Sequence, residues 1–255
     1  MKDNPLKTTL AEGGTCLGTM VFEFGTPNLV RLLAMAGADF VLFDQEHNGW
    51  GVEQLKPLIA SARGTDVVPL VRVAGSSYTQ LTQPLDVGAS GIVVPMVESE
   101  EQAREIVACA KYAPMGRRGV GILFRDEHDS RGLGSTLAAR NEQTFVAVQI
   151  ETAAGVRAVD AIAAVDGIDC LWIGYHDLTT SLGIPGDYDH QDYREAVARV
   201  RDAASSNGKA LGRVATDLAE AKHLLSDGVR LLAYGSDIGL YEQALRTALV
   251  DIRST

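Results

Sequence analysis

Short apolar runs alternate along the chain with longer stretches in which apolar residues recur every three or four positions. The short runs have the length of buried strands, and the longer stretches have the period of amphipathic helices. Strands are predicted at residues 15–22, 40–43, 67–73, 91–95, 145–150, 170–173, 210–213 and 230–234. Helices are predicted at residues 28–36, 52–63, 77–87, 99–112, 154–164, 193–206 and 217–226.

The regular alternation of strand and helix predicts an α/β fold with a parallel sheet, because each helix must return the chain across one face of the sheet. Eight such units in 255 residues are typical of a (β/α)8 TIM barrel, so we expect a single barrel domain over residues 1–255. The main irregularity is the segment 116–141, which is rich in Gly, Arg and acidic residues. A lid and a subunit contact are both open interpretations of it.

Composition and charge narrow the class of protein. The 46% hydrophobic content supports a large core, and the net charge of −10 argues against nucleic acid as a partner. No segment offers about 20 uninterrupted apolar residues, so no membrane span is expected. Three widely separated cysteines, Cys16, Cys109 and Cys170, favour reduced packing residues in a cytoplasmic protein.

The end of the second predicted strand carries a cluster of polar side chains: Asp44, Gln45, Glu46 and His47. Loops that leave the carboxyl ends of parallel strands form the ligand crevice of barrel folds, so a titratable cluster there indicates catalysis. A structural alternative stays open, in which Asp44 and His47 only bond to backbone groups and cap the next helix.

Three further strand ends carry matching chemistry. Arg72 ends the third strand, where it can hold a carboxylate or an oxyanion or, alternatively, form a structural salt bridge. Gln149 and Glu151 alternate along the fifth strand and should face the lumen together. Asp177 follows the sixth strand beside His176, so its carboxylate and that of Glu151 suit Mg²⁺ or Mn²⁺, unless Asp177 only caps a short helix.

These motifs occur together in an order typical of one family. They are DQEH at 44–47, VRV at 71–73, LDVGASGIVVPMV at 85–97, QIET at 149–152 and IGYHDLTTSLG at 173–183. The chain resembles the HpcH/HpaI aldolases, the metal-dependent pyruvate aldolases, from about Gly18 to Gly239. The resemblance implies a TIM barrel, assembled as a hexamer, that makes or cleaves a carbon–carbon bond between a 2-oxo acid and an aldehyde.

The same resemblance implies binding roles for individual residues. Glu151 and Asp177 would bind the divalent metal, Mg²⁺ or Mn²⁺, with Co²⁺ as a further candidate. Gln149 and the backbone near His176 and Asp177 would help to hold the substrate. No organic cofactor is expected, and no lysine is required for a Schiff base.

Catalytic roles are implied in the same way. His47 would act as the base, and Asp44 would fix its orientation. Asp86, in the LDVG motif, matches an acid that supports the histidine from a neighbouring subunit. Arg72 would steady the enolate, because removal of a methyl proton from pyruvate places negative charge on the former carbonyl oxygen.

Two departures from the family pattern concern the acceptor aldehyde. Asn48-Gly49-Trp50 replaces the usual small residue and proline after the histidine, and the common Gly-Pro-Ala-Asp of strand six reads Gly174-Tyr175-His176-Asp177. The segment after Arg118 also departs from the expected arginine- and alanine-rich run. The aldehyde specificity of better-known members is therefore not transferred to this chain.

We expect a divalent-metal-dependent aldolase that cleaves a 4-hydroxy-2-oxo acid to pyruvate, or hydroxypyruvate, and an aldehyde through a metal-stabilised enolate. One alternative is a related metal-enolate enzyme, such as an oxaloacetate decarboxylase or an acyl-CoA ester lyase. Another is a barrel that binds a 2-oxo acid without turnover, although binding alone does not require a proton-transfer group. The sequence leaves the aldehyde, the metal and the stereochemistry open.

Overall fold

Eight parallel strands close into a barrel in the computed structural model, which describes residues 4–121 and 132–254. Each strand pairs with the next in the chain, and β8 pairs with β1, so no sheet edge is left exposed. The strands are β1 Cys16–Val21, β2 Phe40–Asp44, β3 Val68–Arg72, β4 Gly91–Val94, β5 Phe145–Ile150, β6 Cys170–Ile173, β7 Ala210–Ala215 and β8 Leu231–Ser236.

Helices surround the barrel, one or more between successive strands. They are α1 Pro5–Ala11, α2 Asn28–Met35, α3 Val52–Ser61, α4 Tyr78–Val87, α5 Glu100–Ala110, α6 Leu133–Gln143, α7 Ala153–Ala163, α8 Tyr175–Ser181, α9 Gln191–Ser206, α10 Leu218–Ser226 and α11 Asp237–Arg253, with a 3₁₀ turn at Ala62–Gly64. Within the described ranges, no helix combines the length and apolar character that a membrane crossing needs.

The predicted barrel and its eight strands are confirmed, but the segment 116–141 is not irregular throughout. Residues from Leu133 onward form α6, which the sequence-based prediction missed. Asn141 anchors this helix by accepting a hydrogen bond from the Tyr112 N–H and donating one to the Tyr112 carbonyl. These contacts join distant parts of the chain, so no local pattern indicates them. Residues 122–131 of this segment lie outside the described residues.

Alternate residues of each strand face the lumen or the helices, as the period of a strand requires. Phe40 and Leu42 belong to the cluster inside the barrel, whereas Val41 and Phe43 pack beneath the helices. The same alternation continues to the carboxyl ends of the strands. It brings polar side chains into the mouth of the barrel without disturbing the two apolar layers.

The opposite end of the barrel is closed by α1 and by side chains inside the lumen. Leu6 of α1 is buried and belongs to the lumen cluster. The ammonium of Lys7 pairs with Asp169 at 2.6 Å. Nearby, the buried Lys111 ammonium donates to the carbonyls of Asn141 and Thr144, both at 2.6 Å. Burial, together with the positive charge of Lys7, lowers the pKa of Lys111 to about 8.

This lowered pKa predicts a stability that depends on pH. Between about pH 8 and the ordinary lysine pKa of about 10.4, the unfolded chain binds more protons than the folded chain, so the free energy of unfolding rises with pH. Lys111→Met removes this contribution. We expect the difference in unfolding free energy between wild type and Lys111→Met to grow by up to about 3 kcal/mol from pH 7.5 to pH 10.5.

Urea denaturation at a series of pH values measures this difference, and Lys56→Met, at an exposed position of α3, is the matched control. A difference for Lys111→Met that stays constant with pH, as for the control, would contradict the buried-lysine interpretation.

Candidate active site

A cleft of about 350 Å³ opens at the carboxyl ends of the strands. Five of the predicted site residues line it: His47, Arg72, Gln149, His176 and Asp177. Apolar side chains also line it: Met20, Phe22, Trp172, Val214 and Leu240. Glu151, the residue after β5, is fully buried and contacts the cleft residue Gln149.

Asp44, the last residue of β2, organises one side of the cleft. Its carboxylate is fully buried and accepts a hydrogen bond from Arg72 Nε at 2.6 Å. It also accepts the backbone N–H groups of Glu46, at 3.2 Å, and His47, at 2.8 Å. Asp44 therefore holds the loop through its backbone. That Asp44 orients the His47 side chain stays a prediction, because among its described contacts none reaches the imidazole.

Glu46 is the acidic neighbour of the imidazole in this chain. Its Oε2 atom lies 3.7 Å from His47 Nε2 and 3.2 Å from Arg72 Nη1. Burial raises the pKa of Glu46, while the adjacent Arg72 charge opposes this rise. The sequence analysis placed Glu46 in the cluster but gave it no role. Its position directly before His47, at a strand end that also faces Arg72, is the signal that could have indicated one.

Arg72 is both an ion-pair partner and part of the cleft wall. It lies opposite Asp44 in the register of β2 and β3, and it contacts the carboxylates of Asp44 and Glu46. Its guanidinium also lies over the ring of Phe22, 5.8 Å from the centroid. The salt-bridge and ligand-binding interpretations of Arg72 are therefore compatible, because the pairing fixes a cation at the cleft surface.

Glu151 and Gln149 point into the lumen, as their alternation predicts, while Ile150 packs beneath the helices. Glu151 accepts hydrogen bonds from the Met96 N–H, at 2.7 Å, and from the Gln149 side-chain amide. Burial raises the pKa of Glu151 to about 7, and the charges of Glu46 and Asp177 add to this rise. Gln149 Oε1 is buried and, within the described ranges, accepts no hydrogen bond.

Asp177 and His176 lie in the first turn of α8, which starts directly after β6. Gly174 occupies the N-cap position, so the alternative in which Asp177 caps this helix is not what the structure shows. Asp177 is exposed at the cleft. The imidazole of His176 lies beside it, and its Nδ1 atom is 2.6 Å from the hydroxyl of Tyr188.

Asp86 does not reach this cleft within one chain. It lies in the last turn of α4, which runs away from the carboxyl ends of the strands, so it is at the other end of the barrel. Its carboxylate pairs with the buried guanidinium of Arg118 at 2.6 Å. The contribution to a neighbouring subunit that the sequence resemblance implies for Asp86 stays a prediction.

Comparison with known proteins assigns the chain to a family. The profile described as HpcH/HpaI aldolase/citrate lyase matches residues 19–244. The chain belongs to this family. A hydroxypyruvate/pyruvate aldolase of Roseovarius nubinhibens is 35% identical, with 98% of this chain and 97% of the relative covered. A 2-keto-3-deoxy-L-rhamnonate aldolase of Salmonella gallinarum is 33% identical, with 98% and 94% covered.

A solved structure gives the same result. The HpcH/HpaI aldolase of Desulfitobacterium hafniense superposes with a TM-score of 0.92 at 31% identity, covering 98% of this chain and 97% of that one. The predicted membership of the HpcH/HpaI family is therefore confirmed, and with it the prediction of an enzyme of the aldolase type.

The buried Asp44–Arg72 pair of this HpcH/HpaI protein yields a stability prediction. Asp44→Asn removes the negative charge and leaves a largely buried guanidinium without its strongest partner, so we expect a loss of about 3 kcal/mol in the free energy of unfolding. The matched control is Glu100→Gln, which breaks an exposed pair with Arg104 on α5 and should change stability by less than about 0.5 kcal/mol.

Chemical denaturation at pH 7 compares the two variants with the wild type. Equal, small effects of Asp44→Asn and Glu100→Gln would show that the Asp44 carboxylate does not organise this side of the cleft.

Proposed function

We propose that this HpcH/HpaI-family aldolase reversibly cleaves a 4-hydroxy-2-oxo acid to pyruvate, or hydroxypyruvate, and an aldehyde, and that it uses a divalent metal ion. One observation carries the proposal. The imidazole of His47, the guanidinium of Arg72 and the carboxylate of Asp177 line one cleft, and the buried Glu151 lies close enough to Glu46 and Asp177 to interact with them electrostatically. The named activities of the two curated relatives support the same donor class and reaction.

The chemistry of Glu151 and Asp177 fits a divalent ion. Carboxylate oxygens are the ligands that Mg²⁺ and Mn²⁺ prefer, and Co²⁺ is a further candidate. The raised pKa of Glu151 reflects a buried acid close to other acids, which is the environment that a bound cation relieves. The partnerless Gln149 Oε1 adds a buried acceptor beside it, in the part of the chain that is described. When bound, such an ion supplies Lewis-acid polarisation of the donor ketone.

Arg72 is suited to hold the developing negative charge of the donor. Its Nε and Nη1 atoms face Asp44 and Glu46, whereas its Nη2 atom has no partner among the described residues. A substrate oxygen can therefore accept a hydrogen bond from a guanidinium that is already fixed. Such a donor costs no reorganisation when the charge appears on the oxygen.

His47 is suited to move the proton. Its side chain is 56% exposed at the rim of the cleft, and its Nε2 atom lies 3.7 Å from Glu46 Oε2. In the cleavage direction, His47 takes the proton of the 4-hydroxyl, directly or through water. The C3–C4 bond then breaks, its electron pair stays on C3 as the enolate, and the aldehyde is released. The proton held by His47 then passes to C3, which gives the methyl group of pyruvate and restores the neutral imidazole. The reverse sequence returns the proton to the new hydroxyl.

We also infer that the protein is a cytoplasmic homo-oligomer, with the hexamer as the form that the family resemblance implies. Support for an oligomer comes from Asp86, which lies outside the cleft of its own chain, and from the exposed apolar side chains of α11, including Leu245, Leu249 and Ile252. Support for a reducing compartment comes from the three free, buried cysteines.

The first prediction for this function concerns the methyl protons of pyruvate in D₂O, followed by NMR. We expect exchange with Mg²⁺ or Mn²⁺ that EDTA abolishes, because enolate formation does not need the aldehyde. His47→Ala and Glu151→Gln should each slow exchange by at least about 100-fold. His223→Ala, on the exposed face of α10, is the matched control and should exchange at the wild-type rate.

Absence of exchange with every metal, for hydroxypyruvate as well as pyruvate, would refute the proposed donor chemistry. Binding of pyruvate without any exchange would instead favour a barrel that binds 2-oxo acids without turnover.

The second prediction separates an aldolase from an oxaloacetate decarboxylase, which needs the metal and Arg72 but no base for a hydroxyl proton. His47→Ala should lower the retro-aldol rate by at least about 100-fold and the decarboxylation of oxaloacetate by much less. Both rates are measured on the same enzyme preparation. A decarboxylation rate that far exceeds the retro-aldol rate in the wild type, for every 4-hydroxy-2-oxo acid tested, would favour the decarboxylase.

A further inference from the structure

The rim of the cleft carries an imidazole that the proposed donor chemistry does not use. His176 lies between Tyr175 and Asp177, in the first turn of α8. Its side chain is exposed and lines the same cleft as His47 and Arg72. The edge of the cleft therefore carries the bulky, polar imidazole of His176.

The ring of His176 is held in place by two tyrosines. Its Nδ1 atom lies 2.6 Å from the hydroxyl of Tyr188, and its ring packs against Tyr175 with a centroid distance of 4.1 Å. Tyr188 itself packs against Tyr175 and Tyr193, with centroid distances of 5.6 and 5.7 Å. The orientation of the imidazole is thus fixed by packing as well as by a hydrogen bond, as a specificity residue requires.

Tyr175 is in turn held by the ion pair of Arg213 and Glu220. The guanidinium of Arg213 lies 4.9 Å from the centre of the Tyr175 ring and pairs with Glu220 at 3.0 Å. Arg213 is buried on β7, so the aromatic cluster rests on the barrel wall and not on a loop alone.

The hydrogen bond to Tyr188 leaves one ring nitrogen for a ligand. Nδ1 is occupied whichever of the two atoms holds the proton, and Nε2 has no hydrogen-bond partner among the described residues. Nε2 is a donor in one neutral tautomer and an acceptor in the other. A hydroxyl group can satisfy either form, because it both donates and accepts.

The gradient of burial indicates which half of the substrate meets His176. Arg72, Gln149 and Glu151 are buried, whereas His47 and His176 are exposed. A 2-oxo acid held by the buried groups presents its reacting carbon outward. The acceptor aldehyde then approaches from the rim, where His176 lies.

The charges of the cleft disfavour an acidic acceptor. The carboxylates of Glu46, Glu151 and Asp177 lie close enough to interact electrostatically. Among the described residues that line the cleft, Arg72 is the only lysine or arginine, and it already faces Asp44 and Glu46. A divalent ion held by Glu151 and Asp177 would offset those two charges, but Arg72 would still face Asp44, Glu46 and the carboxylate of the donor, so a second carboxylate on the aldehyde would be repelled.

We propose that His176, positioned by Tyr188, is a specificity residue that selects neutral hydroxyaldehydes as the acceptor. This inference rests on the proposed aldolase function and names its acceptor class. The hydroxyl group of the aldehyde bonds to His176 Nε2, and an aldehyde that lacks this hydroxyl loses the contact.

The test compares glycolaldehyde with acetaldehyde, which differ by one hydroxyl group, as acceptors for pyruvate. The ratio of their kcat/KM values is determined for wild type, His176→Leu, Tyr188→Phe and the control His223→Leu. Intrinsic reactivity and any general loss of activity cancel when ratios are compared between variants. His176→Leu should lower the ratio about tenfold and Tyr188→Phe about threefold, whereas His223→Leu should leave it unchanged.

A ratio that stays at the wild-type value in both His176→Leu and Tyr188→Phe would overturn the inference. So would a wild-type preference for succinic semialdehyde over neutral aldehydes, because it would mean that the cleft accepts a second carboxylate. Proton exchange of the donor by the wild type distinguishes a failure of the acceptor assignment from a failure of the proposed aldolase function. If exchange is present and the ratio does not change, only the acceptor assignment fails. If neither pyruvate nor hydroxypyruvate exchanges with any metal, the proposed function fails as well.

Discussion

The buried contact between Asp44 and Arg72 is the constraint on which the rest of the cleft depends. The two residues lie opposite each other in neighbouring strands, so the closure of the barrel sets their separation. The remaining acceptor capacity of the Asp44 carboxylate holds the N–H groups of the next loop. One fully buried carboxylate thereby fixes the guanidinium, the acidic side chain of Glu46 and the backbone of His47. A buried ion pair contributes little net stability, but it gives this part of the cleft a single arrangement.

The cleft concentrates negative charge where a folded protein would ordinarily avoid it. Glu46 and Glu151 both have raised pKa values, first because burial removes them from water and then because other acids lie nearby. In the isolated chain these carboxylates lower the free energy of unfolding, whereas a bound cation would offset their mutual repulsion. The barrel tolerates the cost because its apolar layers, inside the lumen and beneath the helices, are complete without any of these residues.

Much of the fold could be predicted from the sequence, because the apolar runs of the strands are largely buried on both faces, with Leu17 of β1 as an exposed exception. β7 and β8 extend two residues beyond their predicted ends, since backbone pairing continues to Ala215, opposite Tyr234, and to Ser236, opposite Met20. The presence of Arg72, Gln149 and Asp177 in one cleft could be predicted, because all three lie at or just after the carboxyl ends of parallel strands. The contacts of Asp44 with the backbone, of Glu46 with Arg72, and of Tyr188 with His176 could not be predicted. They depend on the path of loops, which has no periodic signature in the sequence.

The sealed lower end of the barrel has a kinetic consequence. With Leu6 and the lumen side chains filling that end, the described cleft opens only toward the carboxyl ends of the strands. Under the proposed function, the two reactants of the aldol reaction share one passage, and the 2-oxo acid takes the deeper position. In synthesis the 2-oxo acid enters first and the aldehyde second, and in cleavage the aldehyde departs first. The closed end of the barrel thus imposes a compulsory order of binding and release on the catalytic cycle.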